Sequence, residues 1–120
     1  MEMEPAIARL SALAQDTRLQ IFRLLVQAGP NGMAAGTIAT ALAIPANTLS
    51  AHLNILANSG LVVARRESRS RIYAAKYDAM RELLAFLLED CCQGKPEMCA
   101  PLFELASCCP PQNIAQKTSC

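Results

Sequence analysis

Six cysteines, Cys91, Cys92, Cys99, Cys108, Cys109 and Cys120, carry the most reactive chemistry in this 120-residue chain, and no cysteine precedes them. Thiolates are soft ligands and nucleophiles, so thiols this dense can hold a thiophilic ion or exchange into disulfides. A secreted disulfide scaffold would be stapled throughout, whereas here the first ninety residues hold no sulfur of this kind. The cluster therefore reads as a site attached to a finished domain, metal-binding or redox-active in a reducing compartment.

The second chemistry is cationic. No formally charged residue occurs from Leu24 to Ala64, and then Arg65, Arg66, Arg69, Arg71 and Lys76 crowd together, offset by Glu67. With 11 Lys and Arg against 10 Asp and Glu the net charge is +1, which excludes a uniformly basic nucleic-acid coat but leaves this local patch for phosphate. The stretch from Glu89 onward is mildly acidic and a poor DNA arm. Catalysis has little to work with: one histidine, no Cys-x5-Arg loop, no glycine-rich phosphate cradle and no carboxylate cluster beside the thiols. The chain is expected not to be an enzyme.

These groups need elements to position them. Ile7, Leu10, Leu13 and Ala14 recur at helical spacing after Pro5, and Asp16 offers an N-cap for a second helix over Thr17 to Ala28, ended by Gly29-Pro30. Arg18 is expected to pair with Asp16. Ala34 to Leu42 and Ala46 to Ser59 form two helices joined by Ala43-Ile44-Pro45, a helix-turn-helix spacing closed by Gly60. Leu61 to Ala64 and Ile72 to Ala74 are β-prone runs, so the polar Arg65 to Arg71 segment becomes the basic tip of a hairpin. Beyond it Asp78 caps a helix whose Met80, Leu83, Leu84, Leu87 and Leu88 form an apolar stripe too continuous for so small a core. The first and last helices are expected to bury against a second copy.

In the second helix of the pair, Leu49, Leu53 and Leu56 make an anchored face, and Asn47, Thr48, Ser50, Ala51 and Asn54 point outward. Such a helix fits a major groove about 12 Å wide, where Asn reads adenine and Thr or Ala touches thymine methyls. His52 lies beside the anchored face, as a core or phosphate-contacting residue rather than a metal ligand. This helix carries no Lys or Arg, so phosphate attraction falls to Arg65, Arg66, Arg69 and Arg71 and to backbone amides.

The runs Asp16-Thr17-Arg18-Leu19, Ile38 to Leu42, Leu49-Ser50-Ala51-His52-Leu53-Asn54-Ile55-Leu56, Ser59-Gly60-Leu61-Val62, and Arg65-Arg66-Glu67 leading to Ile72-Tyr73 together resemble the ArsR/SmtB winged-helix repressors, from about Ile7 to Glu89. The resemblance implies a mainly α winged helix-turn-helix with a small β-hairpin, a homodimer through its first and last helices. It implies a repressor that binds double-stranded operator DNA and leaves it when a metal or metalloid binds. Pro45 departs from the pattern, standing where a hydroxyl cap is common.

Family members place the sensor in different elements. The segment Met33 to Leu42 has no cysteine and the last helix no histidine, while Cys91, Cys92 and Cys99 resemble the ligand set of arsenic-responsive members. Three sulfurs satisfy trivalent arsenic, with antimonite as a second candidate. Zinc fits less well, since it asks for four ligands, usually in spaced pairs. Cys91 and Cys92 also continue the leucine stripe as inert thiols would, and Cys108, Cys109 and Cys120 read as spectators.

Two other readings use the same residues. One is a DNA-binding repressor switched by thiol oxidation, the other a thiol-rich metal-binding protein without DNA function. The expected organisation is a DNA-binding and dimerisation domain over residues 1–92 and an irregular cysteine-rich tail over 93–120. No apolar stretch spans a membrane and the start lacks a basic secretory region, so no membrane partner and a cytoplasmic address are expected.

Overall fold

A computed structural model of the chain describes residues 1–89. The expectations for the tail and for all six cysteines lie outside the described residues. The chain divides into two compact units, Met1–Met80 and Arg81–Cys120. The elements run α1 (Met3–Leu13), α2 (Asp16–Ala28), β1 (Met33–Ala34), α3 (Ala35–Leu42), α4 (Ala46–Ser59), β2 (Val62–Glu67), β3 (Ser70–Ala75) and α5 (Tyr77–Leu87). No described helix is long and apolar enough to cross a membrane.

Helix α1 starts before Pro5 rather than after it, because a proline in the first turn lacks only an N–H that has no helical partner there. Its inward residues are small. Ala6 and Ala12 are buried, whereas Ile7 and Leu10 are exposed. Small residues let α1 lie close against α4 and turn its larger apolar side chains to solvent.

The N-cap of α2 is Gln15, not Asp16. Gln15 has extended backbone, and its side chain accepts a 2.8 Å bond from the Arg18 amide. Asp16 becomes the first helical residue, where its charge suits the positive end of the helix and its carboxylate accepts from Gln20. From α2, Ile21, Phe22 and Leu25 enter the core and meet Ile38 of α3, Leu49, Leu53 and Leu56 of α4, and Leu61, Val62, Tyr73 and Ala75 around the sheet. Each of those buried leucines contributes about 1.5–3 kcal/mol over exposure, enough to hold α4 by one face.

The sheet has three strands in the order β1-β3-β2, all antiparallel, one more than a simple hairpin. Strand β1 sets Met33 against Tyr73 and Ala34 against Ile72. Gly32 makes that pairing possible: its φ is +76°, and a Cβ there would run into the Tyr73 carbonyl. The strands of the hairpin also extend further than expected, pairing from Val62↔Ala75 to Glu67↔Ser70, so only Ser68 and Arg69 remain as loop. The Lys76 amide continues the hairpin ladder by donating to the Leu61 carbonyl at 2.8 Å, and the next residue, Tyr77 at the start of α5, ties the chain to α2 by donating its hydroxyl to the Val26 carbonyl at 3.1 Å. Asp78 falls in the first turn of α5 rather than before it.

Candidate nucleic-acid interface

Helix α4 begins after Pro45, whose extended backbone (φ −60°, ψ 147°) sets the entry without any side-chain cap. Asn47 turns its own Oδ1 onto the Thr48 amide at 2.9 Å. The opposite end closes on Gly60 at φ +90°, where the Gly60 and Leu61 amides donate to the Ala57 and Leu56 carbonyls. Between these ends Leu49, Leu53 and Leu56 are buried, and Asn47, Thr48, Ser50, Ala51 and Asn54 are exposed. Every outward residue named from sequence thus lies on the solvent side of one rigid helix.

His52 is half-buried, and its Nδ1 lies 3.5 Å from Nη1 of Arg18. Arg18 also donates through Nε to the Ala12 carbonyl at 2.7 Å. The expected Arg18–Asp16 ion pair is therefore replaced by a link from the end of α1 to the middle of α4. A carbonyl at the negative end of a helix is a favourable partner for a guanidinium, and it lies within reach here.

The four wing arginines are exposed but not equivalent. Side chains alternate along a strand, so Arg66 and Arg71, directly opposed in register, share one face, and Arg65 and Glu67 share the other. On the second face Arg65 is engaged: Nε donates to Glu67 at 3.0 Å and Nη2 to the Asn31 carbonyl at 2.9 Å. Arg71 stands over the Tyr73 ring, 6.0 Å from its centroid. Among the described residues the side chains of Arg66 and Arg69 make no hydrogen bond or ion pair. Like charges directly opposed across strands are unfavourable, so the Arg66–Arg71 pair gains from an outside anion. In the sequence these arginines form one patch, and neither the Asn31 tether nor the Tyr73 platform carries a local signal.

Among the described residues no group of three His, Cys, Asp or Glu side chains could hold a metal ion. Large apolar residues remain in water on α1, at Met3, Ile7 and Leu10, and on the described part of the second unit, at Leu84 and Leu87.

A family profile described as a helix-turn-helix domain matches residues 13–65. An uncharacterized HTH-type transcriptional regulator from Methanocaldococcus jannaschii is 35% identical over 86 residues, which is 72% of this chain and 94% of that protein. Among solved structures, the homodimeric winged helix-turn-helix DNA-binding domain of a possible ArsR-family regulator from Mycobacterium bovis aligns with a TM-score of 0.60 and 34% identity, over 72% of this chain and 78% of that one. A possible transcriptional regulator for arsenical resistance aligns with a TM-score of 0.58 and 25% identity, over 66% of this chain and 79% of that one.

Proposed function

Since the chain belongs to the ArsR family of winged helix-turn-helix transcriptional regulators, we propose that it is a dimeric repressor released from operator DNA by trivalent arsenic bound at Cys91, Cys92 and Cys99. The observation that carries the metalloid reading is the donor set itself. All the thiols of the chain follow α5, and Cys91 and Cys92, adjacent to each other, are the first of them. Arsenite or a methylated trivalent arsenical takes two or three thiolates, and antimonite shares that preference. The likeness to a regulator described for arsenical resistance supports the same inducer.

In this reading Asn47, Thr48, Ser50, Ala51 and Asn54 meet base edges, with His52 at the margin. Arg66, Arg69 and Arg71 meet phosphates, and Arg65 steadies the wing while adding its remaining N–H groups. A helix without a single charge binds weakly alone, so two copies on a palindrome are required. The exposed apolar residues of α1, and separately those of α5, support a second copy covering them. Thiolate capture shifts the dimer to a spacing of recognition helices that no longer matches successive major grooves.

The test is a titration of arsenite into the operator complex, with wild type and a Cys91→Ser, Cys92→Ser, Cys99→Ser variant. Wild type is expected to lose about 5- to 150-fold in operator affinity, the usual range for such coupling. Equal release of the triple variant overturns the thiol assignment. Mass measurement of the arsenite-treated protein distinguishes a bound ion from the loss of two hydrogens per disulfide, which is the outcome for a redox switch.

A further inference from the structure

Arg9 lies on α1, half-buried, and reaches two elements at once. Its Nε donates to the Ser59 carbonyl at 3.2 Å, and its Nη1 to the Ala79 carbonyl at 2.9 Å. Ser59 is the last residue of α4, and Ala79 lies in the first turn of α5. The guanidinium also passes the Gly60 turn, with Nη2 in van der Waals range of where a Cβ would stand.

The closing turn of α4 explains why this carbonyl is available. The backbone motif at Gly60 uses the carbonyls of Leu56 and Ala57, and the Ser59 hydroxyl donates to Leu56 again at 2.8 Å. That leaves the Ser59 carbonyl for Arg9, and a fixed cation there complements the negative end of the helix dipole. The leucine anchors of α4 end at Leu56. Apolar contact is non-directional and resists sliding or rotation of a helix only weakly, whereas hydrogen bonds to a rigid fork fix both distance and angle.

We infer that Arg9 is a positioning residue for DNA reading, setting the pose in which α4 leaves the core by clamping its last carbonyl to α1 and to the start of α5. This rests on α4 being the recognition helix. Arg9 touches no base or phosphate in this role and acts only through α4. A mis-seated helix loses aligned base contacts but keeps phosphate attraction, so selectivity falls while sequence-independent binding persists.

The experiment uses the full chain. A duplex is first selected by wild type from a random pool, and affinities for that duplex and for an unselected one are then measured for wild type, Arg9→Met and Arg9→Lys. The ratio of the two affinities should drop roughly tenfold in Arg9→Met, the scale of one mis-made base contact. Arg9→Lys should recover part of the ratio, because an ammonium reaches one carbonyl but does not bridge both. Wild-type selectivity in folded Arg9→Met overturns the inference. If circular dichroism shows that Arg9→Met does not fold, Arg9→Lys decides, and wild-type selectivity there overturns it as well. A pool from which wild type enriches nothing removes the DNA reading itself, and the positioning role with it.

Discussion

Replacing Arg66 with glutamine should move two measurements in opposite directions. Arg66 faces Arg71 across the β2–β3 ladder, and the two exposed side chains carry the same sign at adjacent positions. Opposed like charges on a sheet cost about 0.2–1 kcal/mol, and exposure to screened solvent places this pair near the low end, at about 0.3 kcal/mol. For a domain of this size that corresponds to a rise of roughly 1–3 °C in Tm for Arg66→Gln, larger at low salt. Duplex binding goes the other way. Each lost phosphate contact flattens the slope of log affinity against log salt by about 0.9, or about 1.8 for a dimer. Fluorescence anisotropy of a labelled duplex and thermal unfolding, run at the same salt concentrations, give both numbers. Arg65→Gln is the control: it loses the Asn31 and Glu67 bonds, so its stability should fall by about 0.5 kcal/mol while the slope changes less. An Arg66→Gln variant that is less stable and keeps the wild-type slope would refute the assignment of this face to phosphate.

Ala43, in the turn between α3 and α4, holds φ +55°, so Ala43→Gly should raise stability by about 0.5 kcal/mol, the left-handed strain outweighing the entropy of glycine, as read by urea unfolding. Gly32→Ala should do the reverse and cost about 2 kcal/mol or more, since positive φ and collision with the Tyr73 carbonyl act together, with loss of the β1–β3 pairing visible in amide exchange.

Much of α4 was legible because its punctuation is local. Pro45 and Gly60 bracket α4, and Leu49, Leu53 and Leu56 mark its buried side with no help from distant residues. The turn of three residues before it follows from the same signals. What sequence concealed depends on partners far along the chain. Two residues of β1 carry no period, and they become a strand only because Ile72 and Tyr73 lie beside them. Arginines on both faces of the hairpin hid its alternation, so strand was read as tip. Arg9 looks like an ordinary solvated helix cation, and Arg18 like a partner for Asp16, until the carbonyls of Ser59, Ala79 and Ala12 are brought to them. Ile7 and Leu10 mark an apolar face in the sequence and stay exposed, while the close packing of α1 on α4 falls to Ala6 and Ala12, which carry no such signal. The thiols belong to the part of the chain outside the described residues, and their assignment rests on donor chemistry.

The division of α4 into a leucine side and a polar side bears on how such a protein diversifies. Asn47, Thr48, Ser50, Ala51 and Asn54 contribute nothing to the interior, so each can change at little expense in folding, Asn47 giving up its bond to the Thr48 amide. If these five positions read DNA as proposed, a gene duplicate can drift at them toward a new promoter while its scaffold stays untouched. Target preference and foldability would then be inherited on separate residues of a single turn-by-turn alternation.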